Sequence, residues 1–325
     1  MAQQIALKQT SVGAGRSSVK AAKAAKKFRR YFPLFLMALP GMIYLFINNY
    51  LPLFGIFIAF KDINYAKGIL GSDWSGFRNF EFLFRTADAY IITRNTILYN
   101  VVFIALNFAA AIAFAILLNE LAGRLIPRFY QSVILLPHLL STVIVGYLVL
   151  SLLSPEWGLF NKTILPLLGI DEIAWYSEPK FWPYILTIVS VWKGAGYFSV
   201  IFLAAIIGID HEYYEAARID GANKWQQIIK ITIPLIYPVI VMMCLIAIGR
   251  IFYSDFGLFY QVPLDAGALL STTNVIDTYV YRSFLAIGDI GMSSAAGVYQ
   301  SVVGFILVLA SNMIVRKINR DNAMF

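Results

Sequence analysis

Polar residues interrupt this chain rarely, and the intervals between them have a recurring length. Mainly apolar runs occur near Phe32–Phe60, Ile97–Leu118, Phe129–Leu152, Trp182–Ile207, Ile233–Tyr253 and Met292–Val315. A helix rises about 1.5 Å per residue, so about 20 residues cross the roughly 30 Å hydrocarbon layer of a bilayer. The pattern predicts an all-α integral membrane protein. Six transmembrane helices form one domain over 31–317, flanked by tails at 1–30 and 318–325. The first run exceeds what a crossing needs and contains Pro40, Asn48, Asn49 and Pro52. It reads as a helix ending near Asn49 followed by an interfacial segment. No repeat of fixed period stands out, and no linker leads to a second folded domain.

One polar interval is more than a connection. Asp210–Pro234, DHEYYEAARIDGANKWQQIIKITIP, is charged and punctuated by turn residues. Asp210 is placed to cap a helix over His211–Asp220, with Glu212 in the first turn, where the helix dipole favours negative charge. Gly221 suits a left-handed end to that helix. Asn223 and Gln226 have capping-box spacing for a second helix, which Pro234 is expected to stop or redirect. Two short helices at an angle result. Neither is long enough to be stable alone, so each is expected to pack against something.

Composition sharpens the class. The chain is 59% hydrophobic and only 14% charged, with a mean hydropathy of +0.71, too apolar for an ordinary soluble domain. Its net charge of +8 is concentrated rather than spread: eight Lys and Arg precede Tyr31, and the first acid is Asp62. A flank of this kind marks a cytoplasmic end, not a nucleic-acid surface. With the N-terminus inside, six crossings return the C-terminus inside. The inside segments then hold 16 basic and 6 acidic residues, and the outside segments 8 and 12. This orientation places 208–234 in the cytoplasm. Thirty residues before the first run are too many for a cleavable signal peptide, so that run is expected to remain as an anchor. The tail from Met1 to Lys27 reads either as disordered or as an amphipathic helix on anionic lipid. The single cysteine, Cys244, permits no intrachain disulfide.

Several chemistries are excluded. No GxxxxGK[ST] phosphate loop occurs, so ATP is not bound here in the P-loop manner. HEYYE at 211–215 has Glu215 where a zinc protease carries its second histidine. No GxSxG or Cys–His nucleophile is present. Charges within the apolar runs are few: Lys193 in the fourth, Arg250 late in the fifth and Asp255 just beyond it. Such residues usually face a bundle interior or a water-filled path. Lys193 and Arg250, with the nearby aromatics Trp192, Tyr197 and Tyr253, are therefore candidates to line a path for hydroxyl-rich or acidic cargo. Interior packing, or pairing of Arg250 with Asp255, accounts for them as well. Asn100, Asn107, Tyr299, Gln300 and Asn312 are further polar positions for which interhelical hydrogen bonding is an equal reading.

The charged interval also resembles a known motif. Glu215, Ala216 and Ala217, followed by Gly221, Ile231, Ile233 and Pro234, are similar to the EAA loop of binding-protein-dependent ABC importer permeases, with Ile233 where that family usually has Leu. LPHLLS at 136–141, WKGAG at 192–196, AFKDIN at 59–64, IDTYVYR at 276–282 and SNMIVRK at 311–317 resemble the LplB-type subgroup, so the likeness runs from about Tyr31 to Lys317. The resemblance implies the type I ABC importer permease fold. It implies a homologous second permease, two ATP-binding subunits that hold ATP and Mg, and an extracytoplasmic solute-binding protein. It also implies an oligosaccharide cargo, uronate-containing in several relatives. Glu215, Ala216, Ala217, Asp220 and Gly221 would then couple the permease to the ATPase. No cofactor is expected in this chain. An ion-coupled secondary transporter, working without ATPase partners, is the alternative.

Overall fold

The computed structural model describes residues 31–318, with residues 122 and 124 excepted. The expected tails, 1–30 and 319–325, lie outside the described residues. The chain divides into two compact units, with the boundary between Phe57 and Ile58.

Helix α1 (Tyr31–Phe60) dominates the first unit. It does not end near Asn49, as the polar residues there suggested. Instead it changes pitch, passing through a π-helical turn over Phe46–Tyr50 into 3-10 geometry over Leu51–Phe60. Asn48 Nδ2 donates to the Tyr44 carbonyl at 2.9 Å, and Pro52 has no N–H to give the preceding turn. The widened turn absorbs both without a break.

In the second unit a two-residue antiparallel ladder pairs β1 (Lys61–Asp62) with β2 (Asp73–Trp74). Helix α2 (Ala87–Glu120) follows, capped by the Thr86 hydroxyl, which accepts from Ala89 N–H. Next come α3 (Leu125–Leu139) and α4 (Thr142–Leu153), then α5 (Trp182–Ile207) and α6 (His211–Ile219). The chain continues through α7 (Lys224–Ile248), α8 (Phe256–Gln261), α9 (Ile276–Ile287) and α10 (Ile290–Ile318). Among the described residues, α1, α2, α5, α7 and α10 are each long and apolar enough to cross a membrane. The third apolar run is not one straight helix: α3 and α4 meet at 94°, and they match a crossing only when taken together. Pro137 lies inside α3, where it removes a donor from the ladder, and the chain leaves helical geometry three residues later at Leu140–Ser141.

Helices α2 and α5 pack along much of their length. Lipid tails are as apolar as leucine, so close fit rather than water exclusion holds such helices together. Accordingly Ala111 and Ala115 of α2 meet Phe202, Leu203 and Ile206 of α5. Gly196 of α5 lies so near the Ile134 carbonyl of α3 that an added Cβ would collide with backbone. The interval 256–291, between the fifth and sixth apolar runs, is largely helical and partly core. Leu258 and Phe259 of α8 are buried with Tyr99, Val145, Val149 and Trp182. Within it, Leu264 and Asp265 both adopt positive φ, +55° and +48°. The Asp265 carboxylate pairs with Arg282, which also donates to Asn274 Oδ1.

Candidate functional site

The charged interval forms the two-limbed structure its caps require, with one correction. Asp210 Oδ1 accepts from Glu212 N–H at 3.1 Å and starts α6. The helix ends in a Schellman turn: Gly221 has φ +80°, its N–H donates to Arg218 O at 3.0 Å, and Ala222 N–H donates to Ala217 O at 2.8 Å. Asn223 and Gln226 complete a reciprocal capping box, each side chain accepting from the other's backbone N–H at 2.9 Å. The second limb is not a short helix stopped by Pro234. It is the first turns of α7, and a π-helical turn over Ile228–Thr232 carries the chain past the proline. The limb is therefore anchored by a membrane-length helix.

Two side-chain bridges hold the limbs. Tyr214 Oη and Thr232 Oγ1 are 2.9 Å apart, joining α6 to the π turn. Lys224 Nζ lies 2.5 Å from Glu120 Oε2, joining the second limb to the end of α2. Glu215, Ala216, Asp220 and Gly221 are exposed and Ala217 is half-buried. Apolar groups stand beside them: Ile219 is 87% exposed and Trp225 68%.

The candidate path residues fall into two places. Lys193 and Tyr197, one helical turn apart on α5, both face the α3–α4 break. Lys193 Nζ donates to the Leu140 carbonyl at 3.1 Å and to Thr142 Oγ1 at 3.2 Å. A cation thus occupies the carbonyl end of a helix, where the dipole favours it. Tyr197 stacks on His138 of α3, with ring centroids 4.6 Å apart and planes at 15°. Trp192 is 45% exposed on the same helix.

Arg250 and Tyr253 lie instead in the turn after α7. Tyr253 Oη is 2.7 Å from Ser301 Oγ of α10. Arg250 is exposed and has no ion pair among the described residues. The expected alternative of an Arg250–Asp255 pair is not formed, because Asp255 Oδ1 caps α8 by accepting from Leu258 N–H.

Other polar positions prove to be brackets for the same turn. Asn100 Nδ2 donates to the carbonyls of Ile251 and Tyr253 at 2.9 and 3.2 Å. Gln300 Nε2 donates to Phe252 O at 2.6 Å and to Asp277 Oδ2 at 3.3 Å, and Ser254 N–H donates to the same carboxylate. Burial raises the Asp277 carboxyl from its ordinary value, and these donors offset part of the rise. Reading the sequence alone did not find Glu120, the His138 stack or the Asp277 bracket. Each depends on a partner far along the chain. Among the described residues no cluster of His, Cys, Asp and Glu is placed to hold a metal ion.

Comparison with known proteins places this geometry. The chain is 36% identical over 293 residues to the polygalacturonan/rhamnogalacturonan transport system permease protein YteP of Bacillus subtilis strain 168, covering 89% of each chain. It is 34% identical over 289 residues to Protein LplB of the same organism, covering 89% of this chain and 90% of LplB. It superposes with TM-score 0.82 and 32% identity on a chain from the crystal structure of a bacterial ABC transporter involved in the import of the acidic polysaccharide alginate, covering 91% of this chain and 99% of that one. These likenesses agree with the absence of a phosphate loop: the chain is a permease subunit, and ATP is hydrolysed on a separate subunit. Residues 23–320 match the family described as binding-protein-dependent transport system inner membrane component, and the chain belongs to that family.

Proposed function

We propose that this permease carries oligosaccharides bearing uronate carboxylates, as one of two homologous permease subunits served by two ATPase subunits and a solute-binding protein. Its N- and C-termini lie in the cytoplasm, so that the 208–234 loop meets the ATPases there. The observation that carries the cargo class is the pair of cations without carboxylate partners, Lys193 on neutral oxygens and Arg250 exposed. Support also comes from two relatives named for acidic polysaccharides, polygalacturonan/rhamnogalacturonan and alginate.

In this reading Trp192, Tyr197 and Tyr253 offer ring faces to the apolar faces of sugar rings, and the cations answer the carboxylates. Glu215 and its neighbours contact the ATPase, and Gly221 holds the turn that positions them. The ion-coupled secondary transporter has no support from the family.

The test is uptake into proteoliposomes holding the complete transporter, with its binding protein saturated by each cargo. Oligogalacturonates and oligomannuronates are compared with neutral gluco-oligosaccharides of equal length. Uptake of the acidic set, weakened by Arg250→Gln, is expected. Equal uptake of neutral and acidic sugars, unaffected by that substitution, refutes the cargo assignment.

A further inference from the structure

Outside the loop and the candidate path, a groove of about 570 Å³ runs between α2 and α5. Its floor is apolar. Leu98, Val102 and Leu106 follow one another at four-residue steps on α2, and Tyr184 and Ile188 do the same on α5. Its lip is cationic, formed by Arg94 one turn before Leu98, and no carboxylate lines the groove. Arg94 Nε and Nη2 donate to Asn95 Oδ1 at 3.2 and 2.9 Å, and Nη2 also reaches Ser271 O at 3.4 Å. These acceptors are neutral, and Nη1 has no acceptor among the described residues.

We propose that this groove binds an anionic phospholipid, with the phosphate on Arg94 and one acyl chain along Leu98–Leu106. The groove's length fits a single leaflet. Twelve residues of helix from Arg94 to Leu106 rise about 18 Å, against about 15 Å for half the hydrocarbon core. The leaflet follows from the other end of α2. Glu120 is held by Lys224 of the charged loop, and Arg94 lies about 39 Å of helix away, so the site is in the leaflet remote from the loop. A guanidinium with free N–H groups matches a phosphate, and a zwitterionic headgroup, which carries the same phosphate, adds a choline cation that the guanidinium repels. A transmembrane helix docked here would leave Arg94 uncompensated unless it brought its own carboxylate.

The test uses the transporter purified from native membranes through a tag on this chain. It is stripped of loosely held lipid, then titrated with phosphatidylglycerol or phosphatidylcholine and followed by native mass spectrometry and thermal shift. Wild type is expected to retain phosphatidylglycerol in preference to phosphatidylcholine by about tenfold or more, the effect of a like charge held several ångströms from the guanidinium. Arg94→Gln should abolish that preference, and Val102→Trp, which fills the groove but keeps the cation, should abolish retention of both lipids. The same preference in Arg94→Gln as in wild type overturns the proposal. So does a native-membrane crosslink from Val102→Cys to a neighbouring helix, which identifies a protein occupant.

Discussion

Gly221 offers the sharpest test of the coupling loop, because the cost of replacing it can be worked out in isolation. Its φ of +80° lies in the left-handed region, and a Cβ built there meets nothing within 4 Å. A substitution therefore adds no collision, only the backbone penalty. For an L-residue that is about 1–2 kcal/mol, and a β-branched side chain sits at the upper end. Asparagine tolerates the region far better. The Schellman bonds from Gly221 and Ala222 are made only when the penalty is met, so Gly221→Val should lower the population of the formed turn by about 5–30-fold. The assay is ATP-driven uptake in proteoliposomes, normalised to the amount of assembled complex recovered with each variant. Uptake should fall by roughly that factor in Gly221→Val and stay within about twofold of wild type in Gly221→Asn. Full uptake with Val, or equal damage from Asn and Val, refutes the link between this turn and coupling.

The Glu120–Lys224 bridge ties α2 to the loop, so Glu120→Lys or Lys224→Glu should each weaken uptake and the double exchange should restore it. The pair is exposed and worth about 0.2–1 kcal/mol, so the effect should shrink in high salt. Failure of the exchange to rescue would sever the loop from α2. Lys193→Met leaves the Leu140 carbonyl and Thr142 hydroxyl at the α3–α4 break without their donor, at about 1–3 kcal/mol. The melting temperature in detergent should fall. An unchanged melting temperature with loss of acidic uptake alone would assign Lys193 to cargo rather than to the break. Burial puts the native pKa of Asp277 above its unfolded value. The native state then binds the proton more readily, and stability falls as pH rises between those two values. Asp277→Asn can still accept from Ser254 and Gln300, and it should flatten that stretch of a melting-temperature profile. An unaltered slope would mean that Asp277 does not titrate there.

What could be read from the residues alone was local or set by the solvent. Bilayer thickness dictates the length of apolar run that crosses it, so the runs appeared without knowledge of their neighbours. Asp210, Gly221 and the Asn223–Gln226 box act within six residues of themselves, so their caps follow from spacing. The tertiary structure decided everything that needs a distant partner. Pro137 permits a break but does not fix its angle; the Leu140 carbonyl exposed at the break is taken by Lys193, 53 residues on. Pro234 looked like a stop because the π turn that accommodates it has no local signal. Asn100 and Gln300 left path lining and interhelical hydrogen bonding equally open, and Asp277 carried no signal of its own, until the fold brought all three around one turn after α7. Buried polar groups in a bilayer must find acceptors or donors somewhere, but where they find them depends on which helices meet.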